Sequence, residues 1–493
     1  MRLPAAVIAI LVALAGVAGA GGSVAPAHAY DPATTHAGLT ERAAESSGLH
    51  RVLTRRLLRP LGLLETVALH PARLPGVQRH RLLARLATLD PAGGYRPSDD
   101  STASALSWLV AGSVIAGTPP ERGRHHFFDP ARNRGLDNTG GLSDFYHSLK
   151  ISLDGGGTLR GFATGANFDL TGDAAPAWLA SPANEQGVPA LLRHWEDAVA
   201  ASEPALRDAA LAQALLALGG ILAVVEDLGD PAHVRNDFRG AYLDSQSRSA
   251  FDRGSSYERF VADAYGRIGV PAAAAPVRRP TLQAYLSAPD GQGLADRTQR
   301  RFFSEGTIPP DGIVDRGTTT KDVVDAARES LIYPQPRVGR LALQTVGRTQ
   351  YLRQEGRRVL GYRRAPGRVR FFLDNAVHQD TARALLPEIG AYAAGIVDHL
   401  LRGELQLEAV EGGVRVSVMG LPIRNGKIRV FFEDADGIRR EVTTPSTDGA
   451  SAGAGAGGVV AIAVPKDVKR VAAVLRGEDD AGALVAIGEL RMK

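Results

Sequence analysis

The chain of 493 residues contains no cysteine. Disulfides, thiolate metal sites and thiol catalysis are therefore excluded. A chain of this length needs no covalent staples, because it can bury a large core, so the absence is compatible with export. Aromatic residues are scarce, at 6% with three Trp, and no basic run is interleaved with them. That leaves no stacking platform and no broad positive face for nucleic acid. Neither charge sign dominates: 57 Lys and Arg against 53 Asp and Glu give a net charge of +4. What is present is ordinary globular material, 44% apolar and 22% charged, long enough for two or three domains.

The first residues read as a secretory signal. Met1-Arg2 is a short positive start, Ala5 to Ala20 is almost wholly apolar, and Ala27-His28-Ala29 supplies a small-residue cleavage site. Removal of residues 1–29 leaves Tyr30 as the new N-terminus of a secreted or periplasmic bacterial protein; the alternative is an uncleaved anchor. No other stretch reads as a membrane span.

Hydrophobic periodicity predicts helix over about Thr40–Leu89, Ser101–Ile115, two segments between Ala190 and Asp227, Ser255–Gly266 and Asp380–Arg402. Leu211 to Val225 is apolar all round, the mark of a buried central helix. Residues 270–370 mix Pro, Arg and Gly and read as variable connections with short helices. After Gly403 the period changes to two: Leu405, Leu407, Ala409; Val414, Val416, Val418; Ile428, Val430, Phe432. Gly449 to Gly458 is an Ala/Gly-rich loop. The expectation is a mainly α fold, a multi-helix domain over 30–403 followed by a small β-sandwich over 404–493, with no internal repeat.

Metal-ligand chemistry is concentrated in a few places. Glu226-Asp227 ends the apolar helix, and His233 follows a Gly229-Asp230-Pro231 break. Carboxylate and imidazole together suit a borderline cation such as zinc. Asp227 could equally pair with Arg235 or Arg239, since a buried carboxylate needs a partner of some kind. His36 lies six residues after Tyr30, where a free α-amino group and a nearby imidazole could chelate; Thr35 could instead cap a helix. His125-His126 precedes Phe127-Phe128-Asp129-Pro130, and adjacent histidines there point apart, so at most one binds. Glu258 stands one turn into a helix, a common place for a residue that simply favours the helix start.

The order Thr35-His36, His126-Phe-Phe-Asp-Pro130, Leu218-Gly219 through Asp227 to Pro231-Ala-His233, then Tyr257-Glu258, resembles the zinc-dependent phospholipase C and P1/S1 nuclease superfamily. Phe302-Phe-Ser-Glu-Gly-Thr-Ile308 and the stretch from Leu385-Leu-Pro387 through Ala394-Gly395 to Leu401-Arg-Gly403 are similar to its secreted bacterial branch. The resemblance spans about 30–403 and implies an all-α domain, clustered zinc ions and phosphodiester hydrolysis. It implies Tyr30 (through its backbone), His36, His126, Asp227, His233 and Glu258 as metal ligands. Three further ligand positions are occupied by Gly117, Ala223 and Gly254, so two side-chain pairs at i, i+4 spacing each lack a member. Zinc is thus expected in fewer than three sites, down to none, with Glu226, His125 and Asp237 as substitutes. The set around Tyr30, His36 and Asp227 is the best preserved. Two functions follow: a zinc-dependent phosphodiester hydrolase of phospholipase C type, with phospholipid favoured over nucleic acid and peripheral contact with a membrane surface, or a catalytically inactive binding or adhesion protein. The ligand of the β-domain and the oligomeric state stay open.

Overall fold

The computed structural model describes residues 30–90, 95–98, 101–137, 171–237, 256–268, 275–309, 312–314, 318–323, 325, 342–346, 349–420, 422–442 and 460–492. The signal segment, Gly254 and the Ala/Gly-rich loop lie outside them.

A helical body is built around Pro204–Asp227, a 24-residue helix opened by Pro204 at its first position. Almost every residue from Ala209 to Asp227 is buried, which accounts for an apolar sequence with no polar stripe. This helix is long and apolar enough to cross a membrane, correcting the expectation that no such stretch follows the signal; its flanks are covered by protein instead. Helices Val188–Ala200, Ala105–Val114 and Asn375–Leu400 pack around it. Gly219 and Gly112 let the backbones of the central helix and Ala105–Val114 meet. A Cβ on Gly219 would run into the Leu109 carbonyl, and one on Gly112 into that of Leu216.

The predicted helix over Thr40–Leu89 is broken. Helices Ala37–Ser46, Leu49–Arg56 and Gly76–Leu86 are separated by Gly48, Pro60 and left-handed Gly62. A short strand, β1 (Thr66–Ala68), pairs with β2 (Thr102–Ser104) just before Ala105–Val114. The long helix read from Asp380 starts earlier, at Asn375, because Asp374 accepts from the Ala376 and Val377 amides.

Residues 270–370 hold more than connections. Beyond helices Leu282–Leu286 and Leu294–Arg301, five antiparallel strands run β3 (Gly312–Ile313), β4 (Ala342–Val346), β5 (Thr349–Gln354), β6 (Arg357–Ala365) and β7 (Arg368–Phe372), in sheet order β3-β7-β6-β5-β4. Glu355 and Gly356 both take positive φ in the two-residue β5–β6 turn, which suits the right-handed twist of a hairpin. Arg358 clamps Asp380 with two guanidinium nitrogens and ties this sheet to the long helix.

The C-terminal strands are β8 (Glu404–Val410), β9 (Gly413–Met419), β10 (Arg424–Glu433), β11 (Arg439–Val442), β12 (Val460–Ala463), β13 (Arg470–Asp479) and β14 (Gly482–Arg491). They form one sheet in the order β11-β10-β13-β14-β8-β9-β12, not two separate sheets. Its two antiparallel halves meet at a single parallel bridge, Ile487 with Glu404. Val430, Val471 and Leu484 from one half share a core with Leu405, Val414 and Ile462 from the other, so the sheet folds over on itself. The alternate positions Phe431, Val474 and Ile487 join the helical core. Burial on both faces explains why Val471–Leu475 is continuously apolar rather than alternating.

Candidate functional site

The site lies where the central helix ends. Asp227 is its last residue, Gly229 leaves the helix, and Asp230 caps Pro231–Val234 by accepting from the Ala232 amide at 2.6 Å. The chain thus turns sharply inside the protein and holds Glu226, Asp227, Asp230 and His233 together, all fully buried or nearly so. A one-turn segment, Pro32–His36, brings His36 against them, and the segment Pro120–His126 brings His126.

The side chains form a continuous run of hydrogen-bonded and ion-paired groups. Thr40 Oγ1 donates to Glu226 Oε1 at 2.8 Å. His36 Nδ1 lies 2.6 Å from Glu226 Oε2, and His36 Nε2 lies 3.0 Å from Asp227 Oδ1, an ion-pair distance at which neither of the two atoms has hydrogen-bond geometry. Asp227 Oδ2 is 2.5 Å from His126 Nδ1. Burial alone would lower the His36 pKa, but the Asp227 charge, with the hydrogen bond to Glu226, overrides it and holds the imidazolium up to about 10. Burial likewise opposes ionisation of Asp227, yet the charge on His36 and the hydrogen bond from His126 keep its carboxyl well below the usual range. Burial raises Glu226.

Around this run stand the other predicted ligands. His233 stacks on Phe127 at 3.9 Å and points Nδ1 at the His126 carbonyl, 3.4 Å away. Burial pushes its pKa down to about 4, so the ring is neutral, and its Nε2 has no hydrogen-bond partner among the described residues. Tyr30 is 1% exposed; its hydroxyl donates to the Gly229 carbonyl at 3.1 Å and meets the Tyr257 hydroxyl at 3.3 Å. Glu258 is buried beside Asp230, whose carboxyl is pushed up to about 8, chiefly by burial.

The substitutes go elsewhere. His125 turns away and stacks on Trp178 at 4.2 Å, accepting from the Asp173 amide. Asp237 accepts from the Gly306 amide at 2.6 Å. Glu226 serves as the holder of His36 rather than as a separate ligand. Arg235 does not pair with Asp227 either; it donates to the Phe302 and Gln299 carbonyls, each at 2.6 Å. Ala223 is buried one turn before Asp227, and Gly117 follows the helix Ala105–Val114. Sequence reading passed over Thr40 and Asp230. The Asp230-Pro231 pair was a readable cap signal; Thr40 carried none.

Of the buried side-chain atoms at this helix end, His36 Nε2, Asp227 Oδ1, Asp230 Oδ2, His233 Nε2 and Glu258 Oε1 have no hydrogen bond among the described residues. Two donors on one tetrahedral zinc, with bonds of about 2.0–2.1 Å, stand about 3.3 Å apart. The 2.5 Å between His126 Nδ1 and Asp227 Oδ2 is a short hydrogen bond, closer than two donors on one ion stand, whereas the 3.0 Å between His36 Nε2 and Asp227 Oδ1 is near that spacing. Among the described residues no three His, Asp or Glu side chains converge in a metal-holding group.

No family profile matches the chain, and no curated protein does. Solved structures with weak similarity include two alpha-toxins. The alpha-toxin of Clostridium absonum is 11% identical over 94% of this chain and 95% of the toxin, with a TM-score of 0.27. The alpha-toxin of Clostridium perfringens, from an avian strain, is 10% identical over 95% and 100%, with a TM-score of 0.23. Similarity at this level does not assign the chain to a family.

Proposed function

We propose that this chain is an exported binding protein on a helical scaffold, in which the residues that resemble zinc ligands serve as a buried electrostatic core rather than as a hydrolytic centre. The observation that supports this reading is the hydrogen bonding of His36 Nδ1 to Glu226 and of Asp227 Oδ2 to His126, with His36 Nε2 and Asp227 Oδ1 in ion-pair contact at 3.0 Å. A buried imidazolium between two carboxylates offsets one of the two negative charges that a metal cation would otherwise balance. Gly117 and Ala223 supply no donor where the resemblance expects one. Recognition then falls to outer surfaces, including the C-terminal β-domain.

A second reading rests on one contact. His36 Nε2 and Asp227 Oδ1 are 3.0 Å apart, near the spacing of two donors on one ion. With signal cleavage at Ala29, the Tyr30 amine and carbonyl would complete a single zinc site in a phosphodiester hydrolase of reduced metal content.

Metal analysis of the chain beginning at Tyr30, run beside a phosphodiesterase assay, separates the two. No tightly bound zinc after refolding with excess metal, and no turnover, is the expected result. Stoichiometric zinc with hydrolysis that EDTA abolishes, and that one residue added before Tyr30 weakens, would overturn the binding-protein reading.

A further inference from the structure

A row of charges crosses four strands of the C-terminal sheet. Arg439 of β11 is directly opposite Glu433 of β10, Glu433 is opposite Arg470 of β13, and Arg470 is opposite Arg491 of β14. Directly paired residues of neighbouring strands project from the same face, so the row reads Arg–Glu–Arg–Arg along one side of the sheet. All four residues line a cavity of about 350 Å³ at the seam with the helical body, where Arg207 and Arg59 also enter beside the carboxylates Glu65, Asp208 and Glu489, so five arginines face four carboxylates.

The carboxylates do not cover the cations evenly. Glu433 accepts from Arg439 at 2.8 Å and Arg207 at 3.2 Å, and Glu489 accepts from Arg439 at 2.7 Å and Arg470 at 3.0 Å. Three arginines thus share two glutamates. Arg207 is lowered to about 10, first by burial and then by the charge of Arg439. The Arg491 side chain is exposed and has no hydrogen bond or ion pair among the described residues, although it stands beside Arg470 in the same row. Glu489 at 3.0 Å and Glu433 at 3.6 Å offset the charge of Arg470, and the like charge of Arg491 directly opposite is left to solvent or to an added anion. The planar forks of two neighbouring guanidinium groups match a tetrahedral oxyanion, which can accept from both.

We propose that this seam cavity binds a phosphate-type oxyanion, free or as the monoester end of a larger molecule, bridged between Arg470 and Arg491. The site is separate from the histidine–carboxylate run and stands whichever reading of that run holds.

The test is a calorimetric titration of the full chain with inorganic phosphate, repeated on Arg491→Gln, Arg491→Lys and the exposed off-site control Arg440→Gln. Binding by the wild type, weakened about tenfold or more in Arg491→Gln, partly kept in Arg491→Lys and unchanged in Arg440→Gln, is expected. Arg491 makes no contact that the fold needs, so unliganded melting temperatures should agree. Vesicles carrying phosphatidic acid give a second arm. Binding to them that free phosphate and Arg491→Gln both abolish identifies a lipid headgroup as the source, whereas a response to free phosphate alone identifies a soluble one. No phosphate binding at millimolar concentration, or equal binding by wild type and Arg491→Gln, overturns the proposal.

Discussion

Glu226 holds the Nδ1 atom of His36 from 2.6 Å, with both residues wholly buried. The neighbouring carboxylate, Asp227, takes the opposite ring nitrogen at 3.0 Å and His126 at 2.5 Å. A histidine hydrogen-bonded to one carboxylate and flanked by a second is a cation in the core, and its removal is correspondingly costly.

His36→Ala leaves two buried carboxylates without their cation. A loss of about 3–5 kcal/mol is expected in urea unfolding. Glu226→Gln keeps the shape and an acceptor for the His36 Nδ1–H, and its cost should be smaller, about 1–3 kcal/mol. Losses below about 1 kcal/mol for both would mean that the run contributes little to the fold.

The raised pKa of His36 fixes a sign. Its unfolded value is near 6.5 and its folded value about 10. The folded state therefore holds the proton more tightly, and the stabilisation is complete below pH 6.5 and lost as pH rises through 10. The stability gap between wild type and His36→Gln should be widest near neutrality or below and narrow in alkali. A gap that widens with pH would contradict an imidazolium at this position.

Two glycines in long helices should respond oppositely. Gly219→Ala drives a methyl into the Leu109 carbonyl and must push the central helix away from Ala105–Val114, at an expected cost of about 1–3 kcal/mol. Gly390 lies inside the helix Asn375–Leu400 with open space where its Cβ would be. Gly390→Ala should stabilise the protein by about 0.5–1 kcal/mol through the unfolded chain. Thermal melts of the two variants moving in the same direction would refute the packing account.

At the seam, Arg439 is buried and donates to Glu433, Glu489 and the Val199 carbonyl. Arg439→Ala should cost about 3–5 kcal/mol and speed proteolytic separation of the β-domain. Unchanged cleavage would show that apolar contacts such as Phe431 and Val474 hold the seam alone.

How much of this was legible in the sequence depended on whether a local pattern carried it. The buried central helix was readable because nothing polar interrupts its apolar run apart from Gln213. The β period after Gly403 was readable because β8 and β9 keep one face toward solvent. The sheet β3–β7 was missed because its strands are rich in Arg, as in Arg357-Arg358 and Arg363-Arg364, which masks alternation; the Glu355-Gly356 turn was the available signal. The break-up of Thr40–Leu89 was announced by Pro60, Gly62 and Pro71, which outweighed leucines at helical spacing. The six candidate ligands do gather at one helix end, but order along the chain could not say which atoms they offer one another. Whether Asp227 faces a metal or two imidazoles is decided by distances of a few tenths of an ångström.

The most direct test is the nitrogen-15 imidazole spectrum of the chain beginning at Tyr30, recorded near pH 8 before and after excess zinc. With His36 hydrogen-bonded to Glu226 and flanked by Asp227, the spectrum should show a doubly protonated ring that zinc does not change. A ring that loses its Nε2 proton on adding zinc, with one ion bound per chain, would contradict the account.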